Sequence, residues 1–358
     1  MISIDTIKLL VQSGLQAPSA DNSQPWCLKW DGNSLSVIYD IARVQGQTFP
    51  ANSPATLLSL GAIVENIIEI SKHYKLTTNL TCPHNRLSTT YSGAKISIQS
   101  VNSHELIGHS TTHPTFERHT NRFAYHKTAV PPPVLNHTAA FTENSARLVI
   151  IDQKPVIHDI ALLIKLASEV RFQTQEVHEW LGKCLRFTKE DVKKADGLDI
   201  RTLDLPPGGS SFLKFISNWK RMKLLNRIGA YKLLAQIDSA PIKAAPAIVA
   251  IIAPATAQGA IDAGRLLCRA WTYLNTQNIA VHPYYVVADQ LARLEGKTVP
   301  EKLIEQVQDL DQQCTKALPL KEGETLHMFL RAGYPKRKNP TRSLRLPAEI
   351  VFTDLSGS

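Results

Sequence analysis

The segment that most limits how this chain can fold runs from residue 52 to about residue 75. It opens Asn52-Ser53-Pro54 and continues with Leu57, Leu58, Gly61, Ile63, Val64, Ile67, Ile68 and Ile70. A capping side chain followed by proline suits a helix start, because the missing proline N–H would have had no partner there. The apolar residues cover far more than one stripe, so the predicted helix is buried on most sides and central. Gly61 at its middle predicts close packing of another element. Asn66 reads as a hydrogen-bonded core amide, with a ligand contact as the other reading.

The rest of the chain supplies elements to surround it. Residues 26–30 and 34–39 flank Asp31-Gly32-Asn33, a hairpin signal. Further strands are predicted at 77–81, 94–101, 146–152, 246–253 and 326–333, a short helix after Pro131-Pro132-Pro133, and long helices at 155–185, 211–236 and 258–278. With 358 residues, 43% hydrophobic and 20% charged, the composition is that of a globular chain with a sizeable core. No uninterrupted apolar run reaches about 18 residues, so no membrane span is expected. No basic segment leads into an apolar core at the N-terminus, so no signal peptide is expected and the cytoplasm is the default.

Lys and Arg total 40 against 31 Asp and Glu, a net charge of +9 that suggests an anionic ligand. The excess is spread along the chain, and no basic stripe with interleaved aromatics marks a nucleic-acid partner. The five cysteines (Cys27, Cys82, Cys184, Cys268, Cys314) are far apart and form no CxxC, which predicts free thiols in a reducing compartment. Residues 102–114 carry His104, His109 and His113 without a metal-ligand spacing, so no metal is expected and the stretch reads as an exposed connector.

Two polar stretches carry the chemistry. The first is Ala17-Pro18-Ser19-Ala20-Asp21-Asn22-Ser23-Gln24-Pro25-Trp26, after an amphipathic helix that Gly14 and Pro18 bring to a stop. By composition alone this is a helix-to-strand turn. The second is Glu117-Arg118-His119-Thr120-Asn121-Arg122-Phe123-Ala124-Tyr125. Arginine binds phosphate in pairs of hydrogen bonds and threonine adds a donor, although two solvated arginines would read the same.

The order Ala-Pro-Ser-x-x-Asn-x-Gln-Pro-Trp resembles the loop that holds the flavin in the nitroreductase family of FMN proteins. Arg-x-Thr-x-Arg is similar to that family's phosphate motif. Residues 262–285 and the tail through Arg345-Leu346-Pro347 extend the resemblance over most of the chain. The order is unusual, because family members begin with the phosphate motif, and here it comes only near residue 118. The chain therefore resembles a fused, lid-covered branch, with one nitroreductase-like half in residues 1–112 and a second in 113–358. The resemblance implies an α+β fold of two half-repeats, with antiparallel-rich sheets flanked by helices. It implies one FMN per chain, in a monomer with an internal pseudo-dimer or in a homodimer. By it, Arg118 and Thr120 hold the phosphate, and Arg122 sits at the flavin N1/O2 edge. Pro18, Ser19 and Asn22 contact the flavin from the other half. Backbone near Pro283, Tyr284 and Tyr285 faces flavin N5, and no side chain is assigned a catalytic role. Arg345 closes over the phosphate or makes a tail salt bridge, with the two readings equal.

The activity so implied is hydride transfer from NAD(P)H to FMN and on to a nitroaromatic, quinone or similar small electron acceptor. The alternative is a flavin-storage protein with little turnover, and residues 187–240 favour it. They hold Asp196-Gly197, Leu205-Pro206-Pro207-Gly208-Gly209 and the apolar, basic stretch with Phe212, Phe215 and Trp219. Such a stretch reads as a cover over the flavin cleft, with Phe212 and Phe215 packed inward, in preference to a membrane-surface helix, and no membrane partner is expected.

Overall fold

The computed structural model describes residues 2–82, 92–100 and 112–357. His104 and His109 lie outside the described residues, with most of the expected connector. His113 caps the short helix Pro114–Glu117, its Nδ1 accepting the Thr115 N–H at 3.2 Å.

Two long helices form the centre. Pro54–His73 and Ala257–Thr276 pack on one another more extensively than any other pair of elements. Ser53 caps the first through the Thr56 N–H, and Thr256 caps the second through the Gly259 N–H. Two glycines set how close they come. A Cβ on Gly61 would lie 1.9 Å from the Ile261 carbonyl oxygen, and one on Gly264 would lie 1.9 Å from that of Leu58. Asn66 is a satisfied core amide, donating from Nδ2 to the Ser13 carbonyl at 3.1 Å. Buried Glu65 accepts from Arg265 Nε at 2.9 Å and Arg269 Nη2 at 2.6 Å, which ties the two helices ionically.

A five-stranded sheet lies to each side, and the architecture is α+β and antiparallel-rich. The first runs Phe352–Asp354, Trp26–Trp30, Ser34–Tyr39, Ser92–Ser100, Leu76–Thr81; the second runs Ala280–Tyr284, Glu324–Gly333, Ala247–Pro254, Ala146–Ile151, Thr142–Glu143. Within these two sheets every described pairing is antiparallel except that of the C-terminal strand, where Phe352–Asp354 runs parallel to Trp26–Trp30; a separate short pair, Leu185–Arg186 with Leu198–Asp199, is also parallel. The chain thus returns at its end to complete the sheet it began. Leu346 and Val351 from this return enter the same core as Ile7, Leu28 and Ile63.

Two expectations about helices are corrected. Residues 155–185 form two helices, Lys154–Gln173 and Gln175–Cys184, parted at Thr174, whose hydroxyl turns back to the Val170 carbonyl at 2.9 Å. Residues 211–236 fall into three helices, Gly209–Ile216, Trp219–Asn226 and Ala230–Lys243. Asn218 caps the second of these, and Gly229, at φ 86°, starts the third.

Candidate functional site

The Ala17–Trp26 loop is held from both sides. Asp21, Asn22 and Gln24 take positive φ of 47°, 58° and 49°, a region costly for residues with a Cβ. Hydrogen bonds offset that cost. The Gln24 N–H donates to Ser19 Oγ at 2.9 Å. Asn22 Nδ2 donates to the Gly197 and Leu344 carbonyls, each at 2.9 Å, and its Oδ1 accepts from Arg345. Gln24 donates to the Ala195 carbonyl and accepts the Leu346 N–H, both at 2.9 Å. Residues far apart in sequence therefore fix one loop, and Asn22 spends its whole amide on them.

The Arg118–Tyr125 stretch is laid over the second central helix and the strand after it. The Asn121 N–H donates to the Val281 carbonyl at 2.9 Å, beside a bridge between Thr120 and Val281. The His119 N–H donates to Asn275 Oδ1 and its carbonyl accepts from Trp271 Nε1, both at 3.0 Å. Arg118 rests its guanidinium over the Trp271 ring, 4.5 Å from the centroid.

These two stretches face one cavity of about 520 Å³. Pro18, Ser19, Asn22, Arg118, Thr120, Arg122, Pro283, Tyr284 and Arg345 all line it, as does Tyr285. The structure thus brings every flavin-contact residue named from the sequence to one cavity, from four stretches of chain.

Its electrostatics are unusual. Arg118 is only 4% exposed. Its Nη2 donates to the Gln16 carbonyl, and its Nε meets no partner among the described residues. Arg122 has one long contact, to Thr202 Oγ1 at 3.4 Å, and Arg345 donates to Asn22. Among the described residues none of the three makes an ion pair, whereas Arg342 beside them reaches Glu117 at 3.4 Å. Burial pulls down the pKa of all three. The charge on Arg342 adds to the effect at Arg118, and at Arg345, pushed down to about 9, the charge on Arg118 does so. One buried and two partly buried cations that form no ion pair among the described residues are costly unless an anion joins them. Two more cavity residues hold a buried nitrogen without a partner among the described residues, Arg171 at Nε and His282 at Nδ1. Burial, then Arg331 and Arg122, hold His282 well below the usual imidazole value, so it is neutral at pH 7.

No family model and no curated protein matches the chain. Its structural neighbours are nitroreductase-family FMN proteins. One is oxidized iodotyrosine deiodinase bound to FMN and 3-iodo-L-tyrosine, at 11% identity and TM-score 0.33, with 64% of this chain and 94% of that one covered. Another is a nitroreductase with bound FMN from Bacteroides fragilis, at 11% identity and TM-score 0.33, with 64% and 90% covered. A third is an FMN- and NADPH-dependent nitroreductase from Sphigopyxis sp., at 14% identity and TM-score 0.36, with 68% and 97% covered.

Sequence reasoning passed over several residues of this cavity. Asp21 Oδ2 accepts from Trp180 Nε1 at 2.9 Å, and burial raises its carboxyl above the ordinary value despite Trp180 and the nearby Arg171 and Arg122. Asp21 lies inside the loop motif, but nothing in the sequence points it toward Trp180, 159 residues later. Trp271 follows Gly264 and Leu267 at helical spacing on the buried face of its helix, a signal that was available.

The segment 187–240 does reach the cavity, with different residues from those expected. Leu213, Ile216, Leu234 and Ile237 line it, while Phe212 and Phe215 are about half exposed and face away. The expectation of inward-packed phenylalanines is corrected. On an eight-residue helix, 213 and 216 touch the cavity one turn apart, and at roughly 100° per residue the pair 212 and 215 centres about a quarter turn round the axis, on the outer flank.

Proposed function

We propose that the cavity binds FMN, between a first half of residues 1–112 and a second of 113–358, and that the chain is an FMN-dependent oxidoreductase. The observation that carries this reading is the set of three guanidiniums, buried Arg118 and partly buried Arg122 and Arg345, facing one cavity without a carboxylate within ion-pair distance among the described residues. A phosphate monoester carries nearly two charges and several acceptor oxygens, which suits that donor set. The donors form no glycine-rich dinucleotide turn, which favours FMN over FAD.

When bound, FMN supplies a ring that accepts a hydride from NAD(P)H and passes it to a nitroaromatic, quinone or similar small acceptor. The residues of this chain do the rest. Arg118, Thr120 and Arg345 hold the phosphate. Asn22 acts one step back, orienting Arg345 and pinning the loop to the tail. Arg122 places a positive charge that favours the reduced, anionic ring. Neutral His282 and the backbone of Pro283 and Tyr284 offer uncharged polar contacts. Leu213, Ile216 and Leu234 exclude water.

A second reading has its own observation. The same leucines and isoleucine make residues 187–240 a wall of the cavity, so the segment can act as a cover over a stored flavin. Anaerobic mixing with NADH and NADPH tests both readings. Rapid bleaching of the yellow protein supports the enzyme. Bound flavin that stays oxidised, and is reduced faster after Leu213→Ser and Ile216→Ser, supports storage. Protein that cannot be loaded with FMN overturns both.

A further inference from the structure

The three helices Gly209–Ile216, Trp219–Asn226 and Ala230–Lys243 present an outer surface that the cavity does not explain. Of the eleven large hydrophobic residues exposed in the described chain, six lie on or between these helices: Phe212, Phe215, Leu224, Ile228, Leu233 and Ile237. Ile228 is 84% exposed, Leu233 64% and Leu224 61%. A water-soluble surface does not gather such residues without a partner. From Leu205 to Ile237 the chain has no Asp or Glu and six cations, Lys214, Lys220, Arg221, Lys223, Arg227 and Lys232. All six are exposed, and none makes an ion pair among the described residues. Arg221 instead lies over the Phe215 ring at 4.7 Å.

We infer that this face docks on an anionic phospholipid membrane surface. Two features choose that occupant. Apolar side chains standing among unpaired cations match the layering of a bilayer interface, where acyl chains lie under anionic headgroups. A second copy of the chain would place six like charges against six across a two-fold axis, an arrangement that charge repulsion disfavours. The face also adjoins the cavity, since Ile237 is 60% exposed and lines the cavity as well. Docking therefore sets the part of the cavity wall at Ile237 against the bilayer, the side from which a lipid-dissolved acceptor of the quinone class would enter. That last clause rests on the proposed redox reading; the docking itself does not.

The test is flotation of the purified full-length protein with two vesicle types. One is pure phosphatidylcholine, and the other carries about one third phosphatidylglycerol, a charge density at which each surface Lys or Arg contributes roughly fivefold to partitioning. Binding to the anionic vesicles at least about tenfold tighter than to the neutral ones, reversed by high salt, is expected. Lys220→Glu with Arg221→Glu and Lys223→Glu should abolish it, and Ile228→Ser with Leu233→Ser should weaken it at unchanged charge. Both variants alter exposed positions only, and circular dichroism checks that each is folded. No binding to anionic vesicles overturns the inference, as does equal binding to both types. A concentration-dependent dimer that these substitutions convert to monomer, without vesicle binding, would assign the face to self-association instead. None of these readouts depends on whether flavin is bound, so they stand or fall apart from the FMN reading.

Discussion

Two groups of buried and partly buried arginines sit beside the second central helix, and they are treated in opposite ways. Arg265 and Arg269 meet Glu65, which is 1% exposed, and both also reach Glu143. Burial alone would pull Arg269 down, but Glu65 and Glu143 outweigh it and its pKa is raised. Arg118 is buried, Arg122 and Arg345 partly so, and the pKa values of all three are lowered. The first group has its counter-ions built into the chain and holds the two central helices together. The second is left short of negative charge, and the space it faces is a cavity. The difference separates a structural use of arginine from the ligand-binding use proposed for the second group, without reference to any motif.

The largest effect should come from breaking the first group. Glu65→Ala leaves two cations in a site built for an acid, and stability should fall by about 3–5 kcal/mol, the scale for removing one partner of a buried pair. Urea unfolding measures it. A loss below about 1 kcal/mol would mean that water already solvates the pair.

Arg118→Met is the matched experiment on the second group. In flavin-free protein it removes a charge without a counter-ion and keeps apolar contact with Trp271, so stability should hold or rise. Flavin affinity should fall by roughly 2 kcal/mol or more, about thirtyfold, the scale for losing charge-assisted hydrogen bonds. A flavin fluorescence titration reads the affinity, and urea unfolding of the apo-protein reads the stability. If apo-Arg118→Met is as damaged as Glu65→Ala, Arg118 is a structural cation and the contrast fails.

These two groups also mark how far the sequence could be read. The Arg118 group was legible because its members sit in short patterned stretches, with Arg-x-Thr-x-Arg in one and the tail arginine in another. The loop at 17–26 was legible for the same reason. The Glu65 group was not. An acid inside an apolar helix does not name its partners, and Arg265 lies 200 residues away. The C-terminal strand at Phe352–Asp354 was missed because three residues give no usable period, and its place comes from pairing with Trp26–Trp30. The split of the 211–236 helix had a local signal, Ser217-Asn218 and Gly229, overridden by a continuous apolar pattern. Gly61 was read correctly, but only the structure supplies Gly264 as its counterpart.

That glycine pair gives the third expectation. Gly61→Ala gains helix propensity, about 0.5–1 kcal/mol, but places a methyl 1.9 Å from the Ile261 carbonyl oxygen. Backbone must move, and overpacking of this kind costs about 1–3 kcal/mol. A net loss of about 1–2 kcal/mol is expected in urea unfolding, with the arginine groups intact. A stabilised Gly61→Ala would show that the helices can part freely, and would weaken the view that Glu65 and its partners clamp a tight interface.

The smallest effect concerns Asp21, a carboxylate whose charge acts on Arg122 of the second group. Burial raises the Asp21 carboxyl above its ordinary value of 3.8, and the Trp180 hydrogen bond, Arg171 and Arg122 only partly oppose that. The folded protein therefore holds this proton more tightly than the unfolded chain does. The stability that follows is complete below about pH 4 and is lost as pH rises through the raised folded value. Asp21→Asn copies the protonated form and keeps an oxygen to accept from Trp180 Nε1. The variant should match the wild type in acid and exceed it modestly at neutral pH, with the gap opening as pH rises. It also removes the negative field that offsets Arg122, so FMN should bind somewhat more tightly at pH 7. Urea midpoints that stay parallel from acid to neutral pH would show that Asp21 carries no buried-charge cost. In that case its carboxylate already serves the second group as Glu65 serves the first, and the two groups would differ in degree rather than in kind.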